Sequence, residues 1–485
     1  MPRWGWLLAG IVAVAAGLRF GTLGQQSLWY DEALTHDLVV QSFGNMISGV
    51  ANTENTPPLS YALTWLSTRI FGSGEFGLRF VAALAGTATV PVAFLIGREL
   101  RNATAGLWAA ALVAVNPMLV WFSQESRSYA LLVFLTAIGL LCFLHALRPG
   151  RGGRALAGWV VASALALATH YFAIFPIAAE AAWLVWRHRL RVGRRVWVAV
   201  GAVGLAAAAI APLALDQESS GRAESIGDES LARRVAQVPK QFLTGYDGPA
   251  QAALAVLSAA LLVVACIGLW RHLREGGSGL AVVMIAAIAV GVPVVAALAG
   301  ADFLNTRNVL AALPPVLVLA GVGFAAAPAP LGPPAGALLT TIGLATVVGV
   351  VADPVHQRAA WRSFDRALGA SGEPRLLVVS PADAPVSLRV YREELAPAGE
   401  ADAVVREIVV AGLAAKTSAG ATATPPAPGG QEPPATGFSL VDSRTTETYT
   451  LLRYRSPTPV AIAPQALAAS GLGDSPAVLH VPPSR

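Results

Sequence analysis

Eleven apolar runs, each near the length of a membrane-spanning helix and parted by short loops, govern what this chain can fold into. They cover about residues 4–20, 77–97, 103–122, 129–146, 155–169, 172–186, 196–215, 250–270, 280–299, 309–326 and 335–352. Lipid offers no partner to a backbone N–H or C=O, so such runs must become helices. A span takes roughly 20 apolar residues, which leaves the fifth and sixth runs short. They meet at "THYF" (169–172), where the chain must turn near a membrane face. Composition agrees: 55% of the 485 residues are hydrophobic and 13% charged, with a mean hydropathy of +0.58, against about 25% charged in ordinary globular domains. Arg3 ahead of the first run also suits a signal peptide. No clear A-x-A site follows, and an uncut first helix is the better reading.

Arginine sets the orientation. The loops "RELRN" (98–102), "RPGRGGR" (148–154), "RHRLRVGRR" (187–195) and "RHLRE" (271–275) are short and basic, which places them in the cytoplasm by the positive-inside rule. With eleven helices all four fall on one side. Residues 21–76, "SQESRS" (123–128), "THY", 216–249, "ADFLNTRN" (301–308) and everything after about 353 then face outward, in a multi-pass protein of the plasma membrane. The net charge of +5 encodes topology, and nucleic acid is set aside as a partner. The two cysteines, Cys142 and Cys266, lie inside apolar runs, so neither a disulfide framework nor a thiolate metal site is on offer.

Residues 57–71, "PPLSYALTWLSTRIF", are apolar, but counting them as a span would split the basic loops between two sides. They are expected to form an interfacial helix with the Pro pair in its first turn. Beyond 353 the composition becomes that of a soluble domain. A helix, the buried strand "RLLVVS", a second helix and an alternating stretch at 438–456 predict a small α/β domain over 353–485, attached to a membrane module over 1–352. Within it 418–437, rich in Pro, Gly and Ala, reads as a disordered linker.

No P-loop, GxGxxG or HExxH occurs, and the cytoplasmic loops are too short to build a nucleotide site. The chemistry-bearing residues gather instead in the outward loops: Asp31, Glu32, Glu54, Asn55, Glu125, Arg127, Tyr129, His170, Tyr171, Asn305, Arg307 and Asn308. A carboxylate beside the membrane plane can take a proton from an acceptor hydroxyl. An arginine near it can hold the phosphate of a lipid-linked donor. A divalent metal ion bridging carboxylate and phosphate stays open, with Asp31 and Glu125 as candidate ligands; the spacing does not demand one.

These residues carry a resemblance. "SLWYDEA" after the first helix, "NTPPLSYALTWLSTRIFGSGEFGLRF", "SQESRSYALLVF", "THYFAIF" and "TRNVLAALPPVLVLAG" are similar to the polyprenyl-phosphate-sugar-dependent glycosyltransferases of the C-type membrane fold, the group of protein O-mannosyltransferases and aminoarabinose transferases (glycosyltransferase family 39). The resemblance covers roughly residues 4–330. It implies an inverting transfer of a sugar, mannose-like or other, from a polyprenyl-phosphate donor to an extracytoplasmic glycan, lipid or protein acceptor. It also implies Asp31 as the catalytic carboxylate, with Glu32 supporting the acceptor or the loop. The resemblance also picks out Arg307 and matches Glu125 loosely, while position in the outward loops adds Arg127, His170 and Tyr171 to Arg307 for the donor phosphate and lipid, and Glu54 and Asn55 to Glu125 as support for acceptor or metal. The chain departs from the pattern at Thr56, where aminoarabinose transferases carry a phosphate-binding lysine, and at Asn308, where Tyr is common.

Each residue has a plainer reading beside this one. Glu125 and Arg127 suit paired helix ends, Arg307 suits an interfacial anchor, and His170 with Tyr171 suits a helix turn. Glu180 lies inside a predicted span and is expected to pair with the arginines of "RHRLR". Two other functions stay in view: a transporter or flippase of lipid-linked sugars, which would want ionisable groups at the bilayer midplane, and a non-catalytic envelope-assembly protein.

Overall fold

The computed structural model describes residues 3–148, 152–187, 193–219, 229–414, 433–472 and 476–483. Parts of the basic loops 148–154 and 187–195, and most of the stretch 418–437, lie outside the described residues. The chain forms two compact units, Met1–Leu23 with Leu38–Gly349, and Gly24–Asp37 with Val350–Arg485.

In chain order the helices are α1 (Arg3–Phe20), α2 (Tyr30–Val39), α3 (Phe43–Thr53), α4 (Leu59–Phe71), α5 (Glu75–Leu100), α6 (Ala103–Val115), α7 (Pro117–Ser123), α8 (Tyr129–Ala146), α9 (Gly152–Leu167), α10 (Ile174–Arg187), α11 (Arg194–Ser219), α12 (Leu231–Thr244), α13 (Gln251–Arg274), α14 (Gly279–Leu298), α15 (Leu313–Ala326), α16 (Gly332–Ala352), α17 (Trp361–Leu368) and α18 (Ala384–Arg389). All eleven apolar runs are helical. Among the described residues, eight helices are long and apolar enough to cross a membrane: α1, α5, α8, α11, α13, α14, α16 and the run Thr306–Ala326 that ends in α15. The pair α6 and α7, bent by 57°, makes a ninth. The fifth and sixth runs give α9 and α10, with 16 and 14 residues, each shorter than a full span. Leu205, Val256 and Leu298 are more than 70% exposed on the bundle, the kind of apolar surface that lipid tails cover.

The bend was hidden inside one expected span, 103–122. Pro117 lacks the N–H that would continue α6, and Asn116 restarts the helix by accepting from Leu119 N at 3.1 Å. The carbonyls that the break releases need partners where water is scarce. The buried Arg19 guanidinium supplies them, donating to Val113 O at 3.1 Å and Ala114 O at 2.8 Å, and to Ser123 Oγ at 3.1 Å on the far side of the bend. Close packing fixes the centre of the bundle. A Cβ on Gly268 would lie 2.0 Å from Gly323 O, and one on Gly321 would lie 2.6 Å from Ala109 N, so α15 meets α13 and α6 backbone to backbone.

The basic loops share one end of the bundle. Glu99 pairs with Arg148 and, at 3.4 Å, with His145; Arg101 pairs with Glu275 at 3.3 Å; and Arg195 Nη1 lies 3.6 Å from where a Cβ on Gly153 would stand. The outward loops hold helices beyond the one expected at 57–71. Residues 21–76 contain α2 and α3 besides that expected helix, α4, and 216–249 contains α12. Helix α4 has 13 residues, and Pro58 stands at its N-cap rather than within the first turn. It buries Ser60, Tyr61, Thr64, Ser67 and Thr68 while exposing Leu66, Ile70 and Phe71. That is an inverted amphipathic helix, polar towards protein and apolar outward, as suits an element bounded by lipid.

The second unit holds a six-stranded sheet of β1 (Arg375–Ser380), β2 (Ala396–Pro397), β3 (Ala403–Leu413), β4 (Ser439–Thr445), β5 (Tyr449–Ile462) and β6 (Ala477–Val481) in the order β2-β6-β1-β3-β5-β4. Among the described residues only the β1–β3 pair is parallel, with Leu376 opposite Ile408 and Val378 opposite Val410. "RLLVVS" is β1, buried along its whole length, and its central residues 376–379 are all apolar because the strand is covered on both faces. The alternating stretch at 438–456 is the antiparallel β4–β5 pair. Helices α17 and α18 cover one face through Trp361, Phe364, Leu368, Ala384 and Leu388, while Leu467 and Leu472 cover the other.

At the edge of the first face one carboxylate serves three arginines. Glu407 accepts from Arg375 at 3.1 Å, Arg453 at 2.6 Å and Arg455 at 3.0 Å. Arg375 and Arg453 also reach the last carbonyls of α17, at Gly369 and Leu368, a cation at a helix C-terminus. Burial pushes the Glu407 carboxyl up, but the three guanidiniums outweigh it and hold it below the usual range. Its stabilisation is therefore complete above an unfolded-chain pKa of about 4.3 and is lost as pH falls through the lower folded value. Glu407→Gln removes the counter-charge of a fully buried arginine and is expected to destabilise this unit by about 3–5 kcal/mol at neutral pH. Calorimetry of the full chain in detergent should show the loss shrinking below about pH 4.

Candidate active site

The Asp-Glu pair opens α2. Asp31 and Glu32 occupy its first turn, where the helix dipole favours negative charge, and the first helical bond runs from Ala33 N to Trp29 O at 2.9 Å. Asp31 is half-buried, Glu32 is completely buried, and Tyr30 is exposed. Both acids belong to the second unit.

The other candidates belong to the first unit. Arg127 lies in the turn between α7 and α8, which Gln124 fastens to the end of α1 by donating to Leu18 O at 2.9 Å and Thr22 Oγ1 at 2.5 Å. From there Arg127 Nη1 donates to Glu54 Oε2 at 3.0 Å and to Tyr61 Oη at 2.9 Å. Glu54 and Arg127 are both almost wholly buried. Thr56 Oγ1 donates to Tyr61 Oη at 3.4 Å. Burial pushes the Tyr61 hydroxyl well above its ordinary pKa, against the pull of Arg127, so it stays protonated and bonds to Glu54. Glu125 is buried in the same turn, with its carbonyl accepting from Arg127 N at 2.8 Å, while Asn55 is exposed.

His170 caps the 3-10 turn Tyr171–Ala173, its Nδ1 accepting from Phe172 N at 3.2 Å, and its ring lies 5.4 Å from that of Tyr129. That bond leaves the proton on Nε2. Burial first, then the charges of Arg127 and Arg307, push its pKa down to about 3, so His170 is neutral at pH 7. It can meet a phosphate as an N–H donor but not as a cation. The Tyr171 hydroxyl, raised to about 12 by burial, donates to Gln217 Oε1 at 2.7 Å, and Gln217 Nε2 donates to Val50 O at 3.0 Å. The same Val50 carbonyl accepts from Glu54 N at 3.1 Å, which ties Tyr171 to the end of α3.

Arg307 enters the 3-10 turn Thr306–Ala312, with Asn305 accepting from its backbone N–H at 3.2 Å and Asn308 Nδ2 donating to Phe303 O at 2.8 Å. The loop before it is held from α12, where Arg234 Nη1 donates to Asp302 Oδ1 at 2.7 Å and Leu304 O at 2.9 Å. The structure thus joins Glu54, Arg127, His170 and Arg307 electrostatically. Tyr61, Gln217 and Arg234 were missed in the sequence. Only Tyr61 left a trace: residues 60, 61, 64, 67 and 68 form a polar stripe at helical spacing within an apolar segment.

Among the described residues Glu180 pairs with no arginine of the basic loop: it is buried and accepts from Trp159 Nε1 at 2.7 Å, and residues 188–192 of that loop lie outside the described residues. Among the described residues no group of three or more His, Cys, Asp or Glu is placed to hold a metal ion, and the candidate ligands Asp31 and Glu125 fall in different units.

A bundle of long apolar helices with acids and arginines in its loops, continued by a small α/β unit, defines a multi-pass membrane protein with the architecture of a C-type glycosyltransferase. Residues 55–215 match the family described as dolichyl-phosphate-mannose-protein mannosyltransferase, a stretch that includes Arg127 and His170 but neither Asp31 nor Arg307. The chain is 28% identical to the undecaprenyl phosphate-alpha-4-amino-4-deoxy-L-arabinose arabinosyl transferase 2 of Pseudomonas fluorescens over 39% of its length and 36% of that protein's. It is 27% identical to the putative mannosyltransferase YkcB of Bacillus subtilis over 25% of its length and 18% of that protein's. The matched parts therefore span about a third of the first relative and less than a fifth of the second. Among solved structures, ArnT from Cupriavidus metallidurans bound to undecaprenyl phosphate shares the fold, with a TM-score of 0.58 and 14% identity over 93% of this chain and 98% of that one. These similarities bear out the resemblance drawn from the motifs.

Proposed function

We propose that the protein is an inverting glycosyltransferase that moves a sugar from a polyprenyl-phosphate donor to an acceptor on the extracytoplasmic face of the plasma membrane. The observation that carries this reading is the Glu54–Arg127–Tyr61 network beside a neutral His170 that feels both Arg127 and Arg307, in a bundle with the ArnT fold. The donor headgroup is a phosphate diester that leaves as a phosphate monoester. Guanidiniums suit both the binding of that anion and the charge that grows on it as the bond breaks.

In the proposed reaction Asp31 accepts the proton of the acceptor hydroxyl. The oxygen attacks the anomeric carbon, the bond from that carbon to the phosphate oxygen breaks, and polyprenyl phosphate departs from the opposite side with inversion. Glu32 supports α2 from within. Arg127 and Arg307 hold the phosphate, His170 and Tyr171 line its approach, and Glu54, Asn55 and Glu125 face the sugar or acceptor. The matched family's description favours mannose, and Thr56 in place of the phosphate-binding lysine weighs against aminoarabinose.

Full-length protein in proteoliposomes, supplied with undecaprenyl-phosphate mannose, glucose and 4-amino-4-deoxyarabinose together with a cell-envelope extract of the source organism as acceptor, is expected to release undecaprenyl phosphate and form a glycosidic product from one of them. Sided translocation of every donor with no product would overturn the reading in favour of a flippase.

A further inference from the structure

The segment that carries Asp31 is far from the C-terminal part of the chain in sequence, but it packs as part of the same compact unit. Its attachment is continuous. Gly24 O accepts from Arg362 Nη1 at 3.0 Å, and Gln25 Nε2 donates to Val351 O at 3.2 Å. Gln26 Oε1 accepts from Arg358 N at 3.1 Å and Arg358 Nη1 at 3.3 Å. Ser27 Oγ accepts from Arg362 N at 3.1 Å, and Leu28 N donates to Tyr391 Oη at 2.7 Å. Five consecutive residues are each held by a group from between Val351 and Tyr391. Gln26, Ser27, Leu28 and Arg358 are buried, so these bonds are shielded from competing water.

The partners are themselves braced. The Arg362 guanidinium lies 5.9 Å from the centre of the Tyr391 ring, and Arg392 Nε donates to Asp365 Oδ1 at 2.7 Å, which locks α17 to the turn after α18. Behind them stands the sheet. The strap ends at Leu28, and Asp31 follows three residues later in the first turn of α2.

We propose that the C-terminal α/β unit positions the Asp31 carboxylate. Residues 24–28 form a strap clamped by Arg358, Arg362 and Tyr391, and the clamp fixes the origin and direction of α2. These are positioning residues: they act on the chemistry through the segment they hold. The inference rests on the catalytic role given to Asp31 above. It explains why a membrane transferase would carry a sheet domain that has no catalytic constellation of its own.

The test uses the full-length protein in proteoliposomes, with the panel donor that the wild type consumes fastest. Tyr391→Phe removes one hydroxyl, and Tyr391→Phe with Arg362→Met removes the Gly24 bond as well. Hydrogen exchange over residues 24–37 is expected to accelerate about 10- to 100-fold in the double variant, with exchange in β1 and β3 unchanged. Turnover should fall about tenfold or more while the donor KM stays within twofold, as expected when a reacting group is misplaced but substrate still binds. Arg362→Lys, which keeps a donor at that place, should recover most of the rate. Gln26→Leu cuts the strap from its own side and should reproduce both effects even if the double variant loosens the sheet. Unchanged exchange over 24–37, or faster exchange with unchanged turnover, would overturn the proposal. Full activity in Asp31→Asn would instead overturn the role of Asp31, with the exchange data still deciding whether the strap exists.

Discussion

Asp31→Asn is expected to lower donor turnover by about 10²- to 10⁴-fold, the range that a positioned general base contributes, while the donor KM changes little. Asparagine preserves the size of the side chain and a carbonyl oxygen but cannot accept a proton at neutral pH. Thr35 Oγ1 donates to the Asp31 carbonyl at 2.9 Å, a bond that the substitution leaves intact, as it does the strap at residues 24–28. Glu32→Gln makes the contrast. Glu32 is completely buried and Asp31 is half-buried, so neutralising Glu32 should alter the stability of α2 more than the proton transfer. Single-turnover kinetics at saturating donor separates the two outcomes. A rate for Asp31→Asn within twofold of wild type would leave the base to be sought elsewhere.

The bundle was legible because its signal is local and long. Twenty apolar residues can do little in lipid except form a helix, and all eleven runs are helical. The bend at Asn116-Pro117 also had a local sign, a proline within a span, but its stabilisation came from Arg19, some 95 residues away from the carbonyls it serves. Helices α2, α3 and α12 went unseen because their polar residues read as loop, although for α3 and α12 amphipathic packing against the bundle is enough to fold them. The site was legible as a list but not as a network. Arg127 and Glu54 were named for separate roles, and their pairing depends on two elements 73 positions apart. The strap was invisible for the same reason: its bonds join residues more than 320 positions apart, and no periodicity within "GQQSL" announces a partner. The inverted stripe of α4 is different. It stood in the sequence and needed only to be read as a buried polar face.

Arg127→Gln is expected to damage both stability and catalysis, and the two losses can be told apart. Its guanidinium serves Glu54 and Tyr61 in a place where the Glu54 side chain is only 5% exposed. Removing one member of such a pair leaves an uncompensated buried charge and costs about 3–5 kcal/mol. In the double variant Glu54→Gln with Arg127→Gln that charge is gone, so much of the stability should return, with a coupling of about 0.5–3 kcal/mol. Activity should not return with it, because a guanidinium that stabilises the departing phosphate is worth about 10²- to 10³-fold. His170 supplies an internal gauge. Its pKa near 3 is set first by burial and only then by Arg127 and Arg307, so loss of Arg127 should raise it while leaving the ring neutral at pH 7. Because the folded value lies below the unfolded value of about 6.5, His170 makes stability fall as pH drops below that value, and the fall ends near the folded pKa. In Arg127→Gln the fall should end at a higher pH than the wild-type end point of about 3, measurable by thermal unfolding in detergent from pH 7 down to below that point. A recovery of turnover in the double variant would assign Arg127 to holding Glu54 in place, whereas stability without turnover, with Glu54→Gln alone still turning over, would assign it to the phosphate.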